Sequence, residues 1–238
     1  ARRAAQTGDE YDKLLAEGAR YASKQDWRKA SRACREAIAL RPDEPTAYAN
    51  LGAVLSNSGH NVEAAQRYLE AKERYPMGSE DWAQATAEAF DMLRRNECSE
   101  VAKPEWWNDE GLKELSARVV RAAPNDEGAN KMRAVVLSGI HDAWEVGPRS
   151  AAELKKSATH YDRAAALCHA PALQAQFTNL ADLCRTRSMS RCRPRRLDEQ
   201  PSSACCCVGA WALKKGPCFS DPRAVSACAA RAMRLPIA

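Results

Sequence analysis

One spacing governs the chain: small residues and helix-ending residues return every 34 positions. Residues 11–44 laid over 45–78 place Gly18 on Gly52, Ala19 on Ala53, Ala30 on Ala64, Glu36 on Glu70, Ala37 on Ala71 and Pro42 on Pro76. A period of this length is one helical hairpin that cannot bury its apolar face alone, so successive copies must stack and share a core. Gly and Ala let the two helices of a hairpin approach closely where they cross, at Gly52 and Ala64, while Tyr48, Leu55 and Tyr68 fill the volume toward the next hairpin. The punctuation agrees. Pro45 suits a first helical turn, Ser58 and Gly59 suit a tight turn, and Asp26 and Asn61 stand where second helices need caps.

These residues give the chain its resemblance to the tetratricopeptide repeat family, whose pattern is an aromatic, Leu-Gly and Tyr in a first helix, then Ala, an aromatic, Ala and a closing Pro. Tyr48, Leu51, Gly52, Leu55, Gly59, Ala64, Tyr68, Ala71 and Pro76 occupy nearly all of those positions. The first copy carries Leu14, Gly18, Tyr21, Ala30, Cys34, Ala37 and Pro42, with Glu17 where Leu is usual. The motif is clear over residues 11–78, less than a third of the chain. The resemblance implies an all-α, right-handed solenoid of helical hairpins closed by a C-terminal capping helix. It also implies scaffold or adaptor work, with an extended peptide or a partner helix held in the concave groove.

Past Pro76 the repeat continues with insertions. Asp81 to Arg94 reads as a first helix with Trp82 at the aromatic position, and Glu110 to Ala122 as its partner, closed by Pro124. Pro124 lies 48 residues after Pro76, so about 14 residues are added to this hairpin. A fourth pair follows at Glu127 to Leu137 and Ala151 to Cys168, separated by an excursion through Trp144, Gly147 and Pro148. Ser150 and Glu153 form a capping-box pattern, and Tyr161 and Ala164 match Tyr68 and Ala71. Pro171 opens one more amphipathic helix, to Arg187, placed to shield the open end of a solenoid. The expected organisation is a leading segment at 1–10, repeats at 11–44 and 45–78, degenerate repeats at 79–126 and 127–170, a capping helix at 171–187 and a tail at 188–238.

Composition supports helix and isolates the tail. Alanine-rich stretches with three Phe favour helix, because unbranched side chains lose little rotamer freedom there. Of the net charge of +5, residues 188–238 carry nine Lys or Arg against three acids, which leaves the preceding residues at −1. The same stretch holds Cys192, Cys205, Cys206, Cys207, Cys218 and Cys228, six of the ten cysteines, without helical periodicity until Asp221 to Leu235. It reads as a basic, mostly disordered appendage, with a localisation or nucleic-acid tail as the alternative. Cys34, Cys98, Cys168 and Cys184 show no disulfide spacing, and Cys34 falls where a helix wants a small hydrophobe, so a reducing, cytoplasmic setting is expected. No apolar run approaches the roughly 18 residues of a membrane span, and Ala1 to Glu10 lacks the apolar core of a secretory signal.

In a solenoid of hairpins the first helix of each repeat lines the concave face. By matching positions the groove comprises Asp12, Leu15, Ala19, Ala49, Asn50, Ala53, Asn57, Ala83, Ala87 and Asp91. Small side chains there leave room for a guest, and Asn50 and Asn57 can hydrogen-bond its backbone; the competing reading is of exposed positions filled with good helix formers. Gripping the C-terminal tails of the Hsp70 and Hsp90 chaperones takes, by the same resemblance, Lys and Asn in the first repeat, Asn in the second, and Lys and Arg in the third. Only Asn50 is in register. Leu15, Ala19, Glu80 and Gln84 stand at the other places, and Glu80 would repel a carboxylate. Chaperone tails are therefore not expected ligands.

Trp106 and Trp107, just before Asn108, suit either a recognition patch or a staple onto the following helix near Leu112, and the staple is the stronger reading. His160, Cys168, His169 and Cys184 lack the paired spacing of a zinc site, and no phosphate loop, nucleophile elbow or HExxH element occurs. Neither metal, cofactor nor catalysis is expected. Nucleic-acid association through the tail and service as the accessory domain of a larger enzyme remain the rival functions.

Overall fold

The computed structural model describes residues 2–140 and 143–192, which fall in one compact unit and contain helix and turns with no strand. Helix α1 spans Arg2–Ser23 and α2 Trp27–Leu40; α3 spans Pro45–Asn57 and α4 Asn61–Arg74. The third pair is α5 at Glu80–Leu93 and α6 at Asp109–Ala122, the fourth α7 at Glu127–Ser138 and α8 at Ala151–Leu167, and α9 closes the series at Pro171–Cys192. Each helix packs on the next, and the first helices also touch directly, α1 on α3 and α5 on α7.

The caps are largely those the sequence predicts. The Asp26 carboxylate accepts from the Lys29 amide at 3.2 Å, Pro45 opens α3, and Ser150 with Glu153 closes a reciprocal capping box on α8. One assignment differs: His60, not Asn61, is the N-cap of α4, and no side chain bonds that end, so Asn61 is already inside the helix. The two ends of the unit differ as well. Helix α1 begins at Arg2, within the segment expected to precede the repeats, and α9 runs past Arg187 to Cys192, into the stretch assigned to the tail. Beyond Cys192 the expected basic tail lies outside the described residues.

Close approach is enforced inside the hairpins. A Cβ on Gly52 would lie 3.0 Å from the Tyr68 ring, so α3 sits directly on that ring and a side chain at this position would press on it. Tyr48 buries beside Ala71 of its own repeat and Ala85 of α5, which locks the second repeat to the third.

The two insertions answer each other. Trp106 and Trp107 from the α5–α6 connection meet Trp144 from the α7–α8 connection against Phe90 of α5, with ring centroids 5.6–6.1 Å apart. Trp107 donates its indole N–H to the Ala143 carbonyl at 3.0 Å, so the Trp pair is packing rather than an open patch. A Cβ on Gly111 would come within 2.7 Å of the Trp106 carbonyl oxygen, showing how tightly the connection folds back on the first turn of α6. Beneath it Arg149, 1% exposed, donates to the Asp109 carboxylate, to the Val136 carbonyl at 2.9 Å and to the Gly147 carbonyl at 3.2 Å. Asp109 also takes Lys113 at 3.1 Å and the Trp144 indole N–H at 3.4 Å, and the Arg149 hydrogen bond leads the effects that hold its carboxyl well below the usual carboxylate range.

Candidate protein-binding groove

The first helices α1, α3 and α5 present two neighbouring cavities that share Asn50, Ala53 and Asn57 in their lining, and together these are called the channel below. Between α1 and α3 it is small, about 120 Å³, and edged by Ala19, Ala22 and Trp27. Between α3 and α5 it widens to about 470 Å³, with Ala49, Ala53 and Ala85 on its walls and Tyr68 and Tyr75 beside them. Asn57 turns its amide N–H back onto the Ala53 carbonyl at 2.8 Å, whereas the Asn50 amide has no hydrogen-bond partner among the described residues. Helix α3 thus contributes Ala49, Asn50, Ala53 and Asn57 to the lining of the wider cavity.

The other expected groove residues divide. Ala19 is exposed and lines the narrow cavity; Asp12 is exposed on α1 apart from it; Leu15 is half-buried against Tyr11, Ala37 and Ala47. Ala83 and Ala87 are corrections: both are buried in the core with Leu112, Val119 and Met132, and a Cβ on Gly128 would meet the Ala87 methyl at 3.5 Å. The direct packing of α7 on α5 covers that face, so the stripe of α5 that reaches the groove is Asp81, Gln84, Ala85 and Glu88. Its spacing of three and four residues is the only signal the sequence offers for it. Asp91 belongs to a separate cavity of about 560 Å³ between α5, α7 and α9, where it pairs with Lys131 at 2.9 Å and Arg94 at 3.3 Å. Burial pushes its carboxyl up, but these cations prevail and hold it below its ordinary value.

The wide part of the channel is acidic. Asp81, Glu88 and Asp126 line it and no Lys or Arg does. Asp126 caps α7 through the Ala129 amide at 2.7 Å and receives the Gln84 amide at 3.5 Å. Glu88 makes no hydrogen bond or ion pair among the described residues, and burial, then the nearby Asp91 carboxylate, push its carboxyl above the ordinary value. Tyr68, 6% exposed, also keeps a hydroxyl without a partner there. The side chains weighed as metal ligands serve separate local contacts: His160 Nδ1 is 3.1 Å from Asn130 Oδ1, Cys184 Sγ is 3.5 Å from Ser157 Oγ, and His169 is exposed. Among the described residues no three potential ligands converge.

Consecutive antiparallel hairpins, a glycine-and-alanine crossing and a channel along the first helices define an all-α solenoid of tetratricopeptide type. No protein-family model matches the chain, and no curated protein does. Among solved structures it is similar to the crystal structure of MamA protein, with 14% identity and a TM-score of 0.49 over 77% of this chain and 88% of that one. It is also similar to TTC0263, a thermophilic TPR protein in Thermus thermophilus, with 15% identity and a TM-score of 0.49 over 76% and 91% of the two chains.

Proposed function

We propose that this chain is a scaffold that holds an extended peptide or a partner helix of another protein in the channel along α1, α3 and α5. The observation that carries the proposal is the small-residue lining of two neighbouring cavities along these helices, Ala19 in one, Ala49 in the other and Ala53 in both, with the unpartnered Asn50 amide common to the two. Alanine walls let a guest backbone come within hydrogen-bond reach, and a side-chain amide can both donate to and accept from a peptide group. A chaperone-type C-terminal carboxylate is disfavoured as the guest, because Asp81, Glu88 and Asp126 line the channel and no cation does. A reducing, cytoplasmic setting belongs to the same proposal and rests on Cys34, Cys98, Cys168 and Cys184 being buried as free thiols, Cys34 where a helix face takes a small hydrophobe. No helix among the described residues is long and apolar enough to cross a membrane.

The test is to fill the channel. Ala49 is half-buried on its wall, so Ala49→Arg projects a long side chain into the space a guest would occupy. The expected result is loss of peptide capture with helical circular dichroism and thermal melting unchanged. Capture that survives Ala49→Arg places the binding surface elsewhere.

A further inference from the structure

Several half-buried carboxylates in this molecule are met by cations: Asp91 by Lys131 at 2.9 Å, Glu153 by Lys113 at 3.0 Å, Asp109 by Arg149. Glu88 is different. It lies on the wall of the α3–α5 channel with no ion pair or hydrogen bond among the described residues; after burial, the largest charge effect on it is the like charge of Asp91, which the more remote Lys131 and Arg95 offset only in part. In the same cavity Tyr68 of α4 is buried by more than nine-tenths, yet its hydroxyl is unpartnered among the described residues. A carboxylate and a phenol left open together in a channel with two further acids at Asp81 and Asp126 have the complement of a cation's hydrogen bonds ready made.

We infer that the α3–α5 channel selects a lysine or arginine side chain on an extended segment of a protein partner, seated between the Glu88 carboxylate and the Tyr68 hydroxyl oxygen. This rests on the channel being the binding surface. Tyr68 Oη and Glu88 both accept hydrogen bonds from the ammonium or guanidinium group; Asp81, exposed on the first turn of α5, and Asp126, beside α7, add attraction along the guest's approach. Ala49 and Ala53 allow the guest backbone close, and Asn50 is placed to pair with one of its peptide groups. An acidic guest meets three carboxylates with no counter-charge and is refused. Glu88 is the specificity-determining group, because its burial makes the missing charge costly in a way the exposed Asp81 does not.

The experiment uses the full chain, immobilised and presented with a randomised library of displayed nonapeptides. The expected outcome is enrichment of Lys or Arg at one fixed position. Against a selected peptide, Glu88→Gln weakens binding about tenfold, and replacing the selected basic residue by Met in the peptide weakens it by the same factor, the two losses overlapping rather than adding. Tyr68→Phe, which removes only the hydroxyl, costs about threefold. Glu88→Gln keeps the shape of the side chain and removes a disfavoured buried charge, so its melting temperature is expected to equal or exceed that of the parent, which separates recognition from folding. Selected peptides without a basic position, or an affinity unmoved by Glu88→Gln, overturn the inference. If those peptides are still lost on Ala49→Arg, the channel stands as a binding surface with different chemistry. A library from which the parent retains nothing overturns both.

Discussion

Asp109→Asn should be among the most damaging single substitutions outside the apolar core. The side chain keeps its shape and loses its charge, leaving Arg149 as a cation that is 1% exposed and faces the Val136 and Gly147 carbonyls at 2.9 and 3.2 Å in place of a carboxylate. Breaking one member of a buried ion pair costs about 3–5 kcal/mol. Asp109 is itself 18% exposed and Lys113 loses only a half-buried neighbour, so the lower end, about 3 kcal/mol, is the appropriate figure. For a unit of this size that is a fall in Tm of about 6–12 °C, and with an m-value of about 2 kcal/mol/M the urea midpoint drops by about 1.5 M at unchanged slope. Equilibrium unfolding followed by circular dichroism measures it. A midpoint within about 0.2 M of the parent refutes the reasoning, since Arg149 would then find its compensation elsewhere. The double substitution Asp109→Leu with Arg149→Met removes both charges and is expected to recover most of the loss. Affinity for a channel peptide should not change, because the ion pair joins α6 to the α7–α8 connection and does not line the channel.

Gly111→Ala improves helix propensity by about 1 kcal/mol, but its Cβ would sit 2.7 Å from the Trp106 carbonyl, so the net effect in thermal melting is a loss of about 1–3 kcal/mol; a stabilised variant refutes the close approach. Ser150→Ala removes the acceptor for the Glu153 amide at 3.1 Å and lowers stability by about 1 kcal/mol in urea unfolding. Burial raises the Glu153 carboxyl, but the Ser150 amide and Lys113 prevail and hold it at about 2, and Asp109 is likewise depressed. Groups with lowered folded-state pKa bind fewer protons folded than unfolded, so their stabilisation is complete above about pH 5 and is lost as pH falls from there through about 2. The urea midpoint should therefore decline over that window, and decline less steeply in Asp109→Asn.

The first two repeats were legible because their contacts are local and periodic. Gly52 against Tyr68, and Ala30, Ala37, Ala64 and Ala71 buried at hairpin crossings, follow from residues recurring at a fixed interval, and a periodic pattern carries its own register. The same regularity placed Ala49, Asn50, Ala53 and Asn57 on the channel wall. It misplaced the third repeat, extending the stripe to Ala83 and Ala87, because the 48-residue hairpin and the packing of α7 on α5 bury the face that an uninterrupted repeat would expose.

From the amino-acid order alone came the helical class, the hairpin period, the caps at Asp26 and Ser150, and the α3 side of the channel, all of which depend on neighbours within a turn or within one repeat. The tertiary structure decided the rest. Trp107 meets Ala143 and Asp109 meets Arg149 across 36 and 40 residues, and no local propensity specifies such partners. Glu88 shows the difference most plainly. In the sequence it is one more helix-favouring acid among many, and only the arrival of α3, α4 and α7 around it turns it into a half-buried charge, near an open phenol, in a channel lined by no cation.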